Sequence, residues 1–198
     1  MENLRSNWLV GHKGQVLPLE RQQLLSQKPA TLWLTGLSGA GKSTLAFAIE
    51  RALVDEGRAC YVLDGDNIRL RLNRDLGFSP VDRSENIRRI AEVARLMNDA
   101  GLIAIAAFIC PLAVDRTLAK DIIGPSFFRE VFVSTALDVC ESRDPKGMYS
   151  KARAGKLPNF TGVSSPYEVP TDPDLSIDTS NTSISDAVIA LKILILGS

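Results

Sequence analysis

Apolar positions along this chain follow two alternating patterns. Short continuous apolar runs, which are typical of buried parallel strands, occupy 30–35, 59–63, 102–109, 130–133 and 175–177. Between these runs apolar residues recur every three or four positions, which predicts helices over 45–54, 80–100, 114–123, 137–143 and 183–195. A short helix that carries Arg69, Arg71 and Arg74 is also predicted after the second strand. Strands that alternate with helices in this way predict a doubly wound α/β sandwich with a mostly parallel central sheet.

Two serines mark predicted starts of helices. Ser79 is followed by Pro80 at the first helical position and by Asp82 in the first turn, which is the arrangement of an N-cap. Ser183 and Asp186 resemble a capping box at the start of the last helix. Both helices therefore have a start that is defined by local side-chain chemistry.

The stretch 144–170 breaks the alternation of strand and helix. It is rich in glycine and proline, has no long apolar periodicity, and carries the basic residues Lys146, Lys151, Arg153 and Lys156. A long irregular segment with positive charge predicts a lid over an active site, and the alternative is a solvated surface excursion. Residues 1–28 are predicted to be an N-terminal extension, so that 29–198 form one domain.

The composition narrows the class of protein. With 198 residues and 45% apolar content the chain is long enough for one packed core, and its 23 basic and 23 acidic residues leave no excess charge to attract nucleic acid or a membrane. Residues 1–10 lack the apolar core of a secretion signal, and the run 102–110 is too short to span a bilayer, so we expect a cytoplasmic protein. One histidine and three dispersed cysteines argue against a metal cage or a histidine-dependent hydrolase.

A phosphate-binding pattern, G-x-x-x-x-G-K-[ST], lies between the first predicted strand and helix. It consists of Gly36, Leu37, Ser38, Gly39, Ala40, Gly41, Lys42, Ser43 and Thr44. The glycines let backbone N–H groups point at a phosphate chain, Lys42 neutralises the terminal phosphates, and the Ser43 hydroxyl stands where a Mg²⁺ ligand is needed. A bare turn between strand and helix would have no use for Lys42. The pattern predicts a P-loop NTPase-type fold that binds a nucleoside triphosphate.

Two carboxylates follow the second predicted strand. Asp64 and Asp66 emerge at the sheet edge to which the first strand delivers the phosphate loop, although an ordinary turn after a strand would also explain them. A small-molecule kinase needs a carboxylate to orient or deprotonate the acceptor hydroxyl and cations around the transferred phosphate. The nearby cations are Arg69, Arg83, Arg88 and Arg89. A GTPase is disfavoured because 73–76 lacks the lysine and the spacing of N-K-x-D.

Further motifs occur in a fixed order. Beside the phosphate loop they are L-D-G-D-N-I-R at 63–69, D-L-G-F-S at 75–79, D-R-S-E-N-I-R-R at 82–89, R-D-P-K-G at 143–147 and F-T-G at 160–162. Together they closely resemble the adenylylsulfate kinase family, and the resemblance covers about 28–196. It implies a P-loop kinase domain that uses MgATP to phosphorylate the ribose 3′-hydroxyl of adenylylsulfate in sulfate assimilation, and it implies a homodimer.

The resemblance also implies roles for individual residues. Asp66 would orient or deprotonate the hydroxyl, Asp64 would support the water shell of Mg²⁺, and Lys42 completes the catalytic group. Arg143 and Lys146 of the lid would approach ATP. The acceptor would be bound by Arg69, Phe78, Arg83, Asn86, Arg89, Ile109, Cys110 and Phe160. Among these, Phe78 and Phe160 would sandwich its adenine.

The chain departs from the family pattern mainly on the acceptor side. Cys110 replaces a serine that has been proposed as a phosphorylated intermediate, so direct in-line transfer is favoured, and Ala113 replaces a customary arginine. Leu70-Arg71 stands where His-Gly is frequent, and Pro158 where a basic residue is frequent. Two alternatives therefore stay open: a kinase of a different nucleotide-type acceptor, and a non-catalytic ATP-binding regulatory module.

Overall fold

The structure is a computed structural model that describes residues 10–12 and 14–197. Its strands are β1 (Ala30–Thr35), β2 (Cys60–Asp64), β3 (Ile103–Ala107), β4 (Phe128–Val133) and β5 (Leu175–Ile177). Its helices are α1 (Pro18–Leu25), α2 (Lys42–Asp55), α3 (Gly65–Leu70), α4 (Pro80–Asp99), α5 (Ala113–Ile123), α6 (Leu137–Arg143), α7 (Met148–Arg153) and α8 (Ile184–Leu196).

All five strands form one parallel sheet in the order β2-β3-β1-β4-β5. β1 lies between β3 and β4, so that Leu34 is in register with Ala107 on one side and Val131 on the other. The carboxyl ends of β1, β2 and β3 therefore meet at one edge, which is where ligands bind in open parallel sheets. The predicted α/β fold is confirmed.

Apolar side chains cover both faces of this sheet. Leu32 and Leu34 of β1 pack with Leu45, Ile49 and Leu191 of α2 and α8 on one face. On the other face Trp33 packs among residues of α4 and α5 and contacts the rings of Phe108 and Phe128, with centroid separations of 6.1 and 5.8 Å. Because β1 is buried on both faces, the loop that follows it starts from a fixed point.

Two helices were not predicted. α1 lies within the predicted N-terminal extension, of which residues 1–9 and 13 fall outside the described residues. α1 buries none of its side chains, so it carries no apolar stripe. The chain after it is fastened by Gln27, whose amide donates to the carbonyl oxygens of Gly101 (2.8 Å) and Ala59 (2.9 Å) and accepts from the Ala59 N–H (2.8 Å).

The second unpredicted helix, α7, lies within the predicted lid and interrupts its irregular backbone. It is short, and it follows Gly147, whose φ of 62° places a left-handed residue before it. The predicted N-caps are confirmed, because the hydroxyls of Ser79 and Ser183 accept from the N–H groups of Asp82 and Asp186. Across the described part of the chain, no helix is long and apolar enough to cross a membrane.

Candidate active site

A cavity of about 680 Å³ opens at the carboxyl edge of the sheet. Its walls come from the phosphate loop, α3, the start of α4, the end of β3 and the segment after α6. The predicted residues that line it are Ser38, Gly39, Gly41, Lys42, Ser43, Thr44, Asp64, Asp66, Arg69, Phe78, Arg83, Asn86, Ile109, Cys110, Arg143, Lys146 and Phe160. Those that do not line it are Gly36, Leu37, Ala40 and Arg89.

The backbone of the phosphate loop needs glycine at its tightest points. Gly36 has a φ of 151°, and a Cβ there would lie 2.5 Å from the carbonyl oxygen of Val133. Gly39 has a φ of 76°, and its Cβ would lie 2.9 Å from the carbonyl oxygen of Cys140. A side chain at Gly36 would push the loop away from β4, and one at Gly39 would push it away from α6. The loop conformation is thus fixed by close backbone packing.

Lys42 is buried at the start of α2 and faces the loop that precedes it. Its Nζ donates to the carbonyl oxygens of Leu37 (2.7 Å) and Gly36 (3.0 Å). Burial lowers the pKa of Lys42 to about 8, because the charged ammonium loses water without gaining a full negative charge. An anion at the loop would supply that charge.

Ser43 and Asp64 connect the phosphate loop to β2. The Ser43 hydroxyl donates to Asp64 Oδ2 at 2.7 Å, while Asp64 Oδ1 accepts from the N–H groups of Asp66 (3.1 Å) and Asn67 (3.4 Å). Asp64 is therefore the N-cap of α3 as well as the partner of the loop. This double role fixes Asp66 in the first turn of α3, where its carboxylate is exposed to the cavity.

The two predicted lid cations contact different parts of the cavity. Arg143 donates to Oγ1 (2.7 Å) and to the carbonyl oxygen (3.0 Å) of Thr179, in the loop between β5 and α8. Lys146 forms an ion pair with Asp66. The lid is also fastened to the phosphate loop, because the buried Tyr149 donates its hydroxyl to the Ser38 carbonyl oxygen at 3.0 Å.

Arginine and phenylalanine side chains form the wall of the cavity opposite the phosphate loop. The Arg69 guanidinium lies 4.6 Å from the centroid of the exposed Phe78 ring. Arg83 donates to Phe78 O (2.9 Å), Asn159 O (2.8 Å) and Thr161 Oγ1 (3.1 Å), which joins α4 to the end of the lid. Burial lowers the pKa of both arginines, although each remains cationic near neutral pH. This wall presents positive charge beside an open aromatic face.

Arg89 is not brought to the cavity. Its guanidinium donates to both carboxylate oxygens of Asp75 at 2.9 Å and to Glu85 at 2.8 Å, and these two partners raise its pKa. Glu85 also accepts from Arg88 at 2.7 Å, which with Arg89 lowers the pKa of Glu85 to about 2. Both arginines thus belong to an ion-pair network on the outer side of α4.

An asparagine that the sequence did not single out supports Asn86. Asn73 is fully buried, and its Nδ2 donates to Asn86 Oδ1 at 3.0 Å. Because Asn86 uses its oxygen in this bond, its Nδ2 remains available to the cavity that it lines. A polar residue in the turn between α3 and α4 was the only signal, and it does not distinguish a buried asparagine from a surface one.

The loop after β3 is held by side chains from α5 and β1. Cys110 is buried with a left-handed φ of 41°, and its carbonyl oxygen accepts from Arg116 Nη1 at 3.1 Å. Thr35 donates to the carbonyl oxygen of Ile109 at 2.7 Å. Burial raises the pKa of the Cys110 thiol far above its usual range. Cys110 is therefore a small buried residue in a turn of fixed shape.

The chain after the lid returns to this same loop. Glu168 donates its N–H to the Pro111 carbonyl oxygen at 2.8 Å, and its carboxylate accepts from the Ala113 N–H at 2.6 Å, at the first residue of α5. The hydroxyls of Tyr167 and Thr35 are hydrogen-bonded at 2.9 Å. The end of the lid is thus joined to the acceptor side of the cavity.

A family model and a known relative both match this chain over most of its length. The sequence model of the family described as adenylylsulphate kinase matches residues 28–178. An adenylyl-sulfate kinase of Vibrio vulnificus (strain YJ016) is 53% identical over 180 residues, which cover 91% of this chain and 87% of the relative.

Two solved structures are also similar. The structure of the Mycobacterium tuberculosis APS kinase in complex with AMPPNP and APS is similar with a TM-score of 0.82 and 47% identity, over 84% of this chain and 97% of that one. A hexameric APS kinase from Thiobacillus denitrificans is similar with a TM-score of 0.63 and 35% identity, over 88% of this chain and 31% of that one.

Proposed function

This chain belongs to the adenylylsulfate kinase family, and from that premise we propose that it transfers the terminal phosphate of ATP to the ribose 3′-hydroxyl of adenylylsulfate, giving 3′-phosphoadenylylsulfate. The observation that carries the proposal is that one cavity joins a nucleotide phosphate loop to the exposed carboxylate of Asp66. A relative of known structure was solved with AMPPNP and APS together, which agrees with a site for two nucleotides. The comparisons do not support a different acceptor or a non-catalytic role.

The donor is held mainly by the backbone. The N–H groups of 36–44 and the positive end of α2 bind the phosphates, and Lys42 exchanges its bonds to Gly36 and Leu37 for phosphate oxygens. Arg143 lies beside Gly39 and Thr179 and closes the outer side of the nucleotide site. These contacts neutralise charge at the phosphate that is transferred.

The donor set of the site fits Mg²⁺. Ser43 and Asp64 offer adjacent oxygen ligands, and among the described residues no group of three or more His, Cys, Asp or Glu could cage a metal. This suits Mg²⁺, which keeps several waters and takes few protein ligands beside the phosphates. We assign the direct contact to Ser43 and the support of the water shell to Asp64; the ion would neutralise charge on the phosphates.

Transfer is direct. Asp66 accepts the proton of the 3′-hydroxyl while that oxygen attacks the terminal phosphorus of ATP and ADP leaves on the opposite side. Lys146 contacts Asp66 and is long enough to exchange this partner for a phosphate oxygen. Cys110 takes no part as a nucleophile, because the raised pKa of its buried thiol keeps it protonated.

The acceptor is bound by the wall opposite the phosphate loop. Arg69, Arg83 and Asn86 donate to the phosphosulfate and ribose, since guanidinium groups suit the oxygens of phosphate and sulfate. Phe78 and Phe160 enclose the adenine, with Phe160 supported by an edge-to-face contact to Tyr149 at 5.0 Å. Ile109 and Cys110 provide the floor.

We also infer a homodimer in the cytoplasm. The three cysteines are free thiols, as expected in a reducing compartment. Light scattering of the purified protein tests the dimer, and a hexamer, as described for the Thiobacillus relative, would replace it.

The activity is tested by coupled ADP release with adenylylsulfate, AMP, adenosine and a sugar panel as acceptors. We expect turnover with adenylylsulfate that exceeds every other acceptor, and a 3′-phosphorylated product by mass spectrometry. Asp66→Asn should lower kcat on the order of 100-fold, because it removes the base, while ATP still binds. Turnover of another acceptor in place of adenylylsulfate would overturn the proposal.

A further inference from the structure

Asp115 is a buried carboxylate for which phosphate transfer gives no role. It lies in the first turn of α5, is 4% exposed and lines the cavity. Within the described ranges, no residue donates a hydrogen bond to its carboxylate or forms an ion pair with it. A carboxylate buried in this way is costly unless it gains a hydrogen-bond donor. Its open side faces the cavity, so a molecule bound there can supply that donor.

The neighbouring cation does not serve as that partner. The Arg116 Nε lies 2.9 Å from Glu130 Oε1, and its Nη1 donates to the carbonyl oxygens of Cys110 (3.1 Å) and Pro111 (3.2 Å). Its guanidinium is thus occupied on the side of β4 and of the loop after β3. Asp115 remains close enough to Cys110 for its charge to add to the burial that raises the pKa of that thiol. Asp115 therefore stands beside the Cys110 turn, at the floor of the cavity.

Positive and negative side chains lie at different places on the acceptor side of the cavity. Arg69 and Arg83 are only partly buried and lie at the wall formed with the lid, whereas Asp115 is buried at the floor. A phosphosulfate group is attracted to the arginines and repelled by the carboxylate. The part of the acceptor that faces Asp115 must therefore be neutral and must carry an N–H or O–H donor. On adenylylsulfate the exocyclic amine of adenine is such a donor at the end remote from the anion.

We propose that Asp115 accepts a hydrogen bond from the exocyclic amine of the acceptor's adenine and so selects adenine over bases with a carbonyl at that position. This rests on the proposed function, whose acceptor it deepens. Hypoxanthine would place a carbonyl oxygen against the Asp115 carboxylate, and two acceptors without a proton between them repel each other. Binding sites built to hydrogen-bond a substrate group reject analogues that lack it far more strongly than apolar pockets do.

The test compares adenylylsulfate with its hypoxanthine analogue, inosine 5′-phosphosulfate, as acceptors. In the wild type we expect kcat/KM to favour adenylylsulfate by about 100-fold or more. Asp115→Asn offers an amide that donates to the carbonyl, so the ratio should fall at least about tenfold, chiefly through KM. Asp115→Leu should lower kcat/KM for adenylylsulfate without improving the analogue. Asp121→Asn, on the exposed side of the same helix, is the matched control and should leave the ratio unchanged.

Each outcome of this test either supports or overturns the role of Asp115. An unchanged ratio in a folded Asp115→Asn or Asp115→Leu protein, as judged by thermal melting and ATP binding, overturns the role of Asp115. A loss of discrimination against 2′-deoxyadenylylsulfate, in place of the hypoxanthine analogue, assigns the carboxylate to the ribose and also overturns it. Failure of the proposed function is separate, because the wild type and Asp121→Asn would then both fail to use adenylylsulfate.

Discussion

The two halves of the cavity are built from different parts of the chain. The donor half is backbone, and its loop is fixed by glycines whose Cβ atoms would collide with carbonyl oxygens of Val133 and Cys140. The acceptor half is made of side chains from α3, α4, α5, the lid and the turn before α4, which carries the exposed Phe78. The two halves should therefore differ in the substitutions that they tolerate.

A backbone site binds what all nucleoside triphosphates share, namely the phosphate chain. A side-chain site can be altered one residue at a time, which changes specificity without changing the fold. This accounts for the position of the departures from the family pattern. Cys110 lies in the loop after β3 and Ala113 begins α5, whereas 36–44 match the phosphate-loop pattern throughout.

The largest effect is expected from Lys42, the buried cation of the donor half. Lys42→Ala should lower kcat on the order of 1,000-fold, because it removes the charge that stabilises the transferring phosphate. The fold should persist, since the buried charge is costly in the free protein. ADP release and thermal melting measure both. Lys192→Ala, which removes a surface lysine paired with Glu56, is the control and should retain full activity. Turnover of Lys42→Ala within tenfold of the wild type would contradict this role.

The donor half should also show the lowered pKa of Lys42. Below pH 8 the ammonium is charged, and as the pH rises through about 8 the free enzyme loses that charge. We therefore expect kcat/KM for ATP to be about tenfold lower at pH 9 than at pH 7, since this ratio reports the free enzyme. Lys42→Arg should be less active but independent of pH over this range, because arginine stays protonated. A flat wild-type profile would show that the lysine remains charged.

The acceptor half should respond to a residue outside the cavity. Asn73→Leu removes the donor that holds Asn86, so the KM for adenylylsulfate should rise about tenfold while the KM for ATP is unchanged. In an Asn86→Leu background the second change should add nothing. Asn98→Leu is the matched control. Asn98 is buried on α4, as Asn86 is, but its hydrogen bonds are to Thr31 and Ala30. Equal changes in both KM values would reduce Asn73 to a purely structural role.

The smallest effect on acceptor binding is expected at Arg89, which lies outside the cavity. Arg89→Ala should change the KM for adenylylsulfate less than about twofold, because its partners are Asp75 and Glu85 and exposed ion pairs contribute little. Steady-state kinetics with adenylylsulfate at saturating ATP measure this. A rise comparable to that of Arg69→Ala would mean that Arg89 leaves its ion pairs to contact the acceptor.

The sequence predicted the donor half, because the backbone conformation of the phosphate loop requires glycine at fixed positions. That requirement appears as a local sequence pattern. The acceptor half was readable only where a motif named its residues. Asn73 and Asp115 come to the site only through the three-dimensional fold, and nothing in the local sequence separates them from surface residues. Arg89 shows the opposite case: the motif predicts it beside the acceptor, whereas its guanidinium pairs with Asp75 outside the cavity. α1 was missed because a helix without a buried face has no apolar period.

The lid is attached at both ends, and to different halves. Arg143 fastens its beginning to Thr179, while Tyr167 and Glu168 fasten its end to Thr35 and Ala113. A segment held in this way tolerates changes in length only between its attachments. The turn after α7, where Gly155 is exposed and a Cβ would meet no atom within 4 Å, is therefore the place to insert a fluorescent reporter. Such a reporter would show whether this segment moves when the substrates bind, and it lies away from the residues that line the cavity.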